Sequence, residues 1–449
     1  MATLTAQRAE LGHYLAAIER AERDRAHEPA WLRLVRRSAA DAFARTGIPT
    51  TRHEEWRATN VAPIADTAFV LAPPATVSLD EAARFVVPGL GGPMLVFVNG
   101  RYAPELCTYG IRSAGLTVTP LADAIDRGAE SLEPYLARHV DFADRPFAAL
   151  NTAMFDDGAV ITLADDAVAD QPIQLLFLST VTPAPAMSAP RVLMVLGTNS
   201  QAKLIETFGG IGPVRGFTNA VTEIVLGDGS VLDHYRLQRE SESAFHVGHT
   251  GLHLGRSSRS SSHAVALGGL IARHDAVAVL GGEGAECTLN GLYLADGARL
   301  VDNHTEIDHA MPHGTSHELY KGILGGRARG VFNGRIRVRP DAQKTDAKQT
   351  NKTLLLSDEA QINTKPQLEI FANDVKCAHG ATVGQVDHDA LFYLRSRGLA
   401  LTAARHLLTY AFAAEVLEEL RPAPVRDHVA RLLARRLPGG PAAGEAVPS

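Results

Sequence analysis

The first 150 residues alternate between helical periodicity and short polar or β-prone stretches. Over residues 1 to about 46, apolar residues recur at helical spacing. Residues 94–106, MLVFVNGRYAPEL, then predict a hairpin, because their Asn-Gly pair suits a two-residue turn. Residues 121–155 are again helix-prone, with a break expected near Pro146. The pattern predicts a mostly helical N-terminal region with a short hairpin over residues 1–150.

Short runs of alternating or β-branched residues follow one another over residues 158–384. They include AVITL, IQLLFL, RVLMVLG, TEIVLG, SVLDHYRL, AVAVLGG and VFNGRIRV, and turns rich in Gly, Asp and Asn separate them. Two of these turns are placed at Asn290-Gly291 and Asn333-Gly334. No long amphipathic helix interrupts the runs, which excludes a sheet built from alternating strands and helices. The chain is therefore predicted to be mainly β.

An acidic turn precedes a strand at three places, around Asp228, Asp296 and Asp358. These positions lie 68 and 62 residues apart, which would be roughly three coils of a β-solenoid with repeats of about 20–25 residues. The irregular spacing leaves a β-sandwich open. The pattern favours a right-handed parallel β-helix as the core, over residues 151–385.

The last part of the chain is helical. Asp387 is a good N-cap for DALFYLRSR, a second helix is predicted over residues 401–420, and a third carries an apolar stripe that begins at Val425. We expect a C-terminal helical domain over residues 386–437 and a disordered tail over residues 438–449. The face predicted to be buried on the second helix comprises Ala404, Leu407, Leu408, Ala411 and Phe412.

Composition and charge narrow the classes of function. Of 449 residues, 44 are Lys or Arg and 50 are Asp or Glu, and the net charge of −6 argues against binding nucleic acid through its phosphates. No apolar run approaches the roughly 18–20 residues of a membrane span. The polar, charged N-terminus lacks the apolar core of a signal peptide. We therefore expect a cytoplasmic protein that binds neither nucleic acid nor membranes.

Several nucleotide-binding and catalytic motifs are missing. The sequence holds no G-x-x-x-x-G-K-[ST] loop, no strand–G-x-G-x-x-G–helix unit, no G-x-S-x-G turn and no H-E-x-x-H helix. Cys107, Cys287 and Cys377 are widely separated, which argues against a disulfide framework and against a cluster held by this chain's thiolates alone. We expect that the chain does not itself hydrolyse ATP.

Ten of the 18 histidines lie between His234 and His317. Within one strand, His249 and His253 would share a face, so a metal site is one interpretation. The other is that these histidines lie on the solvent face of a large sheet, hydrogen-bonded to neighbouring Ser, Asp or Glu. Their spacings match no compact ligand motif, which favours the second interpretation.

Cys377 and His379 are the sharpest candidate site. If their segment is extended, both side chains face the same way with Cβ atoms about 6–7 Å apart. A thiolate and an imidazole so placed could bind one Fe or Zn ion or hold a sulfur species. Two ligands do not complete a tetrahedral site, so another chain would have to supply the rest. The alternative is a buried structural cysteine beside a hydrogen-bonded histidine, which is the commoner arrangement.

The helix DALFYLRSR also has two interpretations. In one, it packs onto the end of the β-domain through its apolar residues, Leu391, Phe392 and Leu394. In the other, an exposed aromatic and basic face binds another protein through Tyr393, Arg395 and Arg397. Composition favours packing, and both interpretations stay open.

Residues 376–398, KCAHGATVGQVDHDALFYLRSRG, closely resemble the C-terminal hallmark of the SufB/SufD family of iron–sulfur cluster assembly proteins. The segment TRHEEWR, residues 51–57, is similar to one typical of the SufD branch, and the strand-rich middle is similar more weakly. The resemblance implies a parallel β-helix flanked by helical regions. It also implies a non-catalytic scaffold, whose partners are a SufB-like paralogue paired edge to edge and a SufC-like ATPase docked on the C-terminal helices.

The resemblance further implies roles for single residues. Cys377 and His379 take the motif positions at the junction with the SufB-like subunit, where a nascent cluster is thought to form. A transient Fe or Fe–S species at this shared interface is therefore expected, and no permanently bound cofactor. When the chain is alone, a homodimer is an alternative. The candidate partner-binding residues are Phe392, Tyr393, Arg395 and Arg397.

Two other functions are weighed against this one. A SufB-like cluster scaffold is disfavoured by the three widely separated cysteines and by the SufD-type TRHEEWR segment. A β-helix enzyme acting on polysaccharide, with the His-rich segment as its cleft, would need aromatic residues that stack on sugars. The chain has two Trp in 449 residues, neither of them in the β region, which argues against such an enzyme.

Overall fold

The computed structural model describes residues 11–111, 113–437 and 439. Their α-helices are α1 (Gly12–Asp24), α2 (Ala30–Thr46), α3 (Ala62–Ala65), α4 (Leu79–Ala83), α5 (Leu121–Gly128), α6 (Pro146–Met154), α7 (His388–Ser396), α8 (Leu401–Leu417) and α9 (Ala423–Arg436). Short 3₁₀-helices lie at Glu54–Trp56, Pro104–Leu106 and Ala129–Ser131. No helix in the described part of the chain is long and apolar enough to cross a membrane.

The strands form two sheets. The first contains β1 (Val70–Leu71), β4 (Leu116–Pro120), β5 (Gly158–Leu163), β7 (Ala186–Ser188), β8 (Arg191–Leu196), β10 (Phe217–Leu226), β12 (Phe245–Leu254), β14 (Ile271–Leu280), β16 (Leu300–His309), β18 (Arg329–Val338) and β20 (Gln361–Ile370). The second contains β2 (Met94–Val98), β3 (Arg101–Tyr102), β6 (Ile173–Thr180), β9 (Gln201–Ile211), β11 (Val231–Arg239), β13 (Arg259–Ala266), β15 (Glu286–Ala295), β17 (Thr315–Leu324), β19 (Asp346–Leu355) and β21 (Lys376–Gln385).

From β8 onward the chain coils by alternating between the two sheets. Phe217 of β10 pairs with Phe245 of β12, which in turn pairs with Ile271 of β14, and all these pairings are parallel. In the second sheet, β11 likewise pairs in parallel with β13, and β13 with β15. The core is therefore a parallel β-solenoid of about 8 turns, and the protein is mainly β with helices at both ends, as predicted.

Each coil contains more residues than the spacing of the acidic turns indicated. Arg329 pairs with Gln361, 32 residues on, and Phe245 pairs with Ile271, 26 residues on. Each coil is this long because it holds two strands of mostly 8–11 residues and two corners. Asp228 and Asp296 therefore lie two and a half coils apart, on opposite corners, and the three-coil spacing was wrong.

The turns predicted at Asn290-Gly291 and Asn333-Gly334 were also wrong, because both pairs lie inside strands. A Cβ on Gly291 would overlap the ring of Tyr320, and one on Gly334 would overlap the side-chain amide of Gln349. These glycines therefore make room for nearby side chains, Tyr320 from the adjacent coil and Gln349 from the opposite sheet, and do not turn the chain.

The N-terminal region contributes strands to one end of the solenoid. β2 pairs with β6 in parallel, and the predicted β2–β3 hairpin turns at Asn99 and Gly100, which have φ of 52° and 79°. β4 pairs with β5 antiparallel. Pro146 is the first residue of α6, where a proline is well tolerated, and Gly128 ends α5 well before it. The domain limits themselves stay a prediction.

The C-terminal helices pack on the outer face of the second sheet. The predicted stripe of α9 is buried there, since Val425, Val429 and Leu433 pack in one cluster with Leu237 and Leu292. The predicted tail lies outside the described residues, apart from residue 439.

The predicted face of α8 was partly wrong. Ala404 is buried as expected, but Leu407 is 47% exposed. The apolar residues of α8 lie on several of its sides, so their periodicity alone does not show which side is buried. The residues that α8 buries are Ala404, Thr409, Ala413, Val416 and Leu417.

Candidate functional site at the open end of the solenoid

The two ends of the solenoid differ. At the N-terminal end, β4 closes the first sheet and the β2–β3 hairpin closes the second, in both cases through an antiparallel pairing. At the other end, β20 and β21 each pair with one strand only in the described part of the chain. Their outer backbone edges are therefore open, and an open strand edge is a template for pairing with another chain.

Cys377 and His379 lie on β21 at this open end. Cys377 pairs with Ala347 of β19, and His379 pairs with Gln349. Ala347 and Gln349 are buried inside the solenoid, so the two candidate residues face the same way, toward the mouth of the lumen. Cys377 is half-buried and His379 is exposed. The candidate pair is therefore not sealed in an apolar interior.

The Cys377 thiol is not activated as a nucleophile. Partial burial raises its pKa above the ordinary value, the negative charge of Asp346 raises it further, and a contact with the Ala347 backbone partly opposes both effects. The neutral thiol therefore predominates at pH 7. Such a group ionises when a metal ion binds it, because the thiolate is the form that ligates metals.

The candidate pair does not make a complete metal site. Among the described residues, no group of three or more His, Cys, Asp or Glu side chains is arranged to hold a metal ion. One thiol and one imidazole leave at least two positions of a tetrahedral centre to be filled from elsewhere. The arrangement can therefore contribute ligands and cannot by itself hold an ion in the usual way.

The two open edges differ in their capacity to pair. Lys376 donates its backbone N–H to Thr345 of the neighbouring coil, so alternate residues from Cys377 onward direct their backbone groups to the open side. In β20, Gln361 donates to Ala328, which places Pro366 among the outward-facing residues. A proline has no N–H to offer, so the β20 edge is blunted whereas the β21 edge is intact.

Apolar side chains surround the mouth, and sequence reasoning missed them. Phe371, in the corner between β20 and β21, is 58% exposed, and Val383 of β21 is 46% exposed. Ile370 is exposed beside Phe371. The sequence run LEIF indicated only a strand, because exposure at a solenoid end depends on which coil is the last one.

Helix α7 follows β21 directly and carries the other candidate residues. Asp387 caps it, with Oδ1 accepting from the N–H groups of Asp389 at 2.8 Å and Ala390 at 3.1 Å. Leu391 is buried, but Phe392 is 75% exposed, so Phe392 does not pack onto the β-domain as one interpretation required. The exposed residues on this helix and its C-terminus include Tyr393, Arg395 and Arg397.

The histidine-rich segment fits neither of its two interpretations. Most of its rings are buried, not on a solvent face, although His313 and His317 are exposed. The expected hydrogen bonds to Ser and Glu are present: His234 contacts Glu206 Oε2 at 2.7 Å and Ser262 Oγ at 2.9 Å. These are structural bonds inside the solenoid. The error arose because strand alternation does not show that both faces of each sheet are covered.

The segment TRHEEWR joins the N-terminal region to the solenoid. Its Trp56 is buried against Phe147, and the guanidinium of Arg273 in β14 lies 3.7 Å from the centroid of the Trp56 ring. Arg273 also donates to Asp275 and Asp302, at 2.7 and 2.8 Å. This motif therefore has a structural role on the flank of the solenoid, and it reaches the last coil, where Lys365 of β20 donates to Glu54 Oε1 at 2.7 Å.

Comparison with known proteins agrees with this architecture. Residues 178–412 match the family model described as SUF system FeS cluster assembly, SufBD core domain, and residues 13–175 match the SufBD protein N-terminal region. An iron–sulfur cluster assembly SufBD family protein of Synechocystis is 36% identical over 89% of this chain and 90% of its own length. The iron–sulfur cluster assembly protein SufD of Escherichia coli is 32% identical over 88% and 91%.

The SufD protein of Bacillus subtilis is 24% identical over 91% of this chain and 95% of its own length. Together the two family models span nearly all of the described residues. The chain therefore belongs to the SufBD family of the SUF system of iron–sulfur cluster assembly.

Proposed function

We propose that this chain is a non-catalytic scaffold subunit of a SUF complex of the SufD type. It pairs through the open end of its solenoid with a SufB-like paralogue and docks a SufC-like ATPase on its C-terminal helices. Cys377 and His379 contribute ligands at the shared junction to an Fe or Fe–S species, which is the cargo of the complex and not a resident cofactor.

The observation that carries this proposal is the coincidence of an incomplete ligand pair with an unpaired strand edge. Cys377 and His379 sit on the same strand whose backbone is open to another chain. A subunit that pairs with β21 brings its own side chains to the mouth where two ligands are missing. The junction and the ligand site are thus completed by one event.

The exposed apolar groups support the same junction. Phe371 and Val383 flank the open edge, and burial of large exposed apolar side chains is the main favourable contribution to subunit association. Pairing is expected along β21 because Pro366 blunts β20. A paralogous subunit with a similar end would pair antiparallel, as in two-fold related contacts.

The proposal for the ATPase rests on α7 and α8. Phe392 and Tyr393 expose aromatic rings, and Arg395 and Arg397 lie next to them. Aromatic and arginine side chains dominate the energies of protein interfaces. Leu407 of α8 adds exposed apolar surface.

Co-expression with SufB-like and SufC-like partners tests the function. We expect Cys377→Ala and His379→Ala to leave the complex assembled, because neither change removes a backbone group of β21. Cluster formed on the purified complex, measured by its visible absorbance and iron content, should fall in both variants, by about tenfold or more for loss of a metal ligand.

Cys107→Ala and His317→Ala are the matched controls. Cys107 is a half-buried thiol of the N-terminal region, and His317 is an exposed histidine of β17. Both should form cluster at the native level. Native cluster yield in Cys377→Ala and His379→Ala would contradict the site, and failure of the native chain to co-purify with either partner would contradict the scaffold function.

A further inference from the structure

A column of polar side chains leads from inside the solenoid to the candidate site. Glu318 of β17 pairs in register with Gln349 of β19, and Gln349 pairs in register with His379 of β21. Successive rungs of a parallel sheet lie about 4.8 Å apart. The three side chains therefore stack in one line, with His379 as the last member at the mouth.

The Gln349 amide has one end satisfied and one end free. Its Nε2 donates to Glu318 Oε2 at 2.7 Å, toward the preceding coil. Its Oε1 is buried and has no hydrogen-bond partner among the described residues. An unpaired buried acceptor costs about 1–3 kcal/mol, so this oxygen requires an explanation. Gly334 makes the space that the amide occupies.

The Nε2 end of the amide is bonded to Glu318 on the β17 side, and the rung neighbour of Gln349 on the β21 side is His379. On the basis of the proposed function, we infer that Gln349 is the positioning residue for His379. Its amide oxygen accepts a hydrogen bond from one ring N–H of His379. In the structure the His379 ring is exposed and no hydrogen bond joins it to Gln349. Rotation of the ring inward makes the bond.

This bond would decide which nitrogen of His379 is available. A neutral imidazole carries one N–H and one acceptor nitrogen. When Gln349 accepts the N–H, the other nitrogen is unprotonated and points out of the mouth, ready to bind a metal ion. Ligating histidines usually donate their second nitrogen to a carbonyl or carboxylate in this way.

The tautomer of His379 in the full chain tests the inference without any partner. The ring nitrogens are observed by NMR on protein labelled with ¹⁵N-histidine, and the His379→Asn variant assigns the signals. We expect one neutral tautomer to predominate in the native protein. In Gln349→Met, which has a similar volume and no acceptor oxygen, the two tautomers should approach the ratio of an exposed histidine.

Asn351→Leu is the matched control. Asn351 lies on the same face of β19, its Oδ1 is also buried and unpaired within the described residues, and its rung neighbour on β21 is Ala381. This change disturbs the lumen equally and should leave the His379 tautomer as in the native protein. The double variant Glu318→Gln/Gln349→Glu restores an acceptor beside His379 and should restore the bias.

A second measurement separates this inference from the proposed function. Cluster formation on the co-purified complex should fall about tenfold in Gln349→Met and return in the double variant. Equal tautomer ratios in the native protein and Gln349→Met, or equal loss of bias in Asn351→Leu, would overturn the positioning role even if the complex assembles. A native bias with no effect of His379→Ala on cluster yield would leave Gln349 as the orienting residue and reject the ligand role of His379.

Discussion

At the residue scale, the lumen of the solenoid contains polar and ionisable side chains that are fully buried. Burial lowers the pKa of His246, His274 and His309 below the ordinary range, so these rings are neutral at pH 7. Glu318 is the clearest case among the acids, because burial raises its pKa from 4.5 to about 7, an effect that the hydrogen bond from Gln349 partly opposes. The folded protein therefore holds the Glu318 proton over a pH range in which the unfolded chain releases it.

The pH dependence of stability follows from this shift. Between pH 4.5 and about 7 the folded state binds more protons at Glu318 than the unfolded state does, so the contribution of this residue to stability falls as the pH rises. Glu318→Gln removes the ionisation. We expect the variant to be more stable than the native protein at pH 8, by on the order of 3 kcal/mol, and to differ little at pH 4.

Urea unfolding at the two pH values measures this difference. Glu359→Gln, in an exposed turn, serves as the control and should track the native protein at both. An equal change in the free energy of unfolding for Glu318→Gln at pH 4 and pH 8 would show that the pKa of Glu318 is the same in the folded and unfolded states.

At the scale of single elements, β21 combines a satisfied side and an open side. Ala381 directs its N–H outward, since Lys376 directs its own toward β19 and the direction alternates along the strand. The outward positions can therefore be changed without breaking the pairing within the chain. This separates a test of association from a test of folding.

We predict that Ala381→Pro weakens binding to the SufB-like partner by about tenfold, because one interchain hydrogen bond is lost. The thermal midpoint of the isolated chain should stay close to that of the native protein, since the removed N–H has no partner among the residues that the structure describes. Ala381→Ser keeps the N–H and should bind normally. Unchanged affinity of the proline variant in titration calorimetry would place the junction away from β21.

The segment before α6 is held in place by one buried carboxylate. Glu223 of β10 accepts from the backbone N–H of Ala137 and His139, both at 2.8 Å, and from that of Val140 at 3.2 Å. Its Oε2 also accepts from Arg191 Nη2 at 2.7 Å, and both side chains of this ion pair are fully buried. Glu223 therefore fastens the segment before α6 to the first sheet.

Removing this carboxylate should loosen that segment. Glu223→Ala leaves the Arg191 charge unpaired and three backbone donors without their acceptor, so we expect a loss of about 3–5 kcal/mol in the free energy of unfolding. Hydrogen exchange should accelerate most at residues 137–140. Glu286→Ala, in an exposed pair with Arg259, should cost less than about 1 kcal/mol; equal costs for the two variants would refute the anchoring role.

At the scale of the whole molecule, the C-terminal helices and the candidate site share one sheet. Glu415 of α8 pairs with Lys321 of β17 and, at 3.0 Å, with Lys352 of β19, the strand next to β21. A force applied to these helices would reach the sheet that carries Cys377 through these contacts. This gives a physical route by which a docked ATPase could act on the open end.

We expect nucleotide to change the accessibility of Cys377 in the assembled complex. ATP binding that closes the ATPase dimer would move the docked helices and open the junction, so the alkylation rate of Cys377 should rise with ATP. Mass spectrometry of the alkylated peptides measures this rate, and Cys107 is an internal control. Equal rates for Cys377 with and without nucleotide would contradict the coupling.

Much of the fold was determined by the sequence because the relevant signals are local. Alternating apolar residues gave the strands, the Asn-Gly pair gave the β2–β3 turn, and Asp387 gave the start of α7. The i, i+2 spacing of Cys377 and His379 already placed both on one face of a strand. Each of these features depends on a few neighbouring residues.

Only the tertiary structure decided features that depend on register between coils about 30 residues apart. It placed Gly334 inside a strand, where it leaves room for the Gln349 side chain, and it put Gln349 in register with His379. It also placed Pro366, which has no N–H, among the outward-facing residues of β20. It also buried the histidines by covering both faces of the sheets. The physical reason is that a side chain's neighbours in a solenoid come from adjacent coils, and periodicity along one strand carries no information about them.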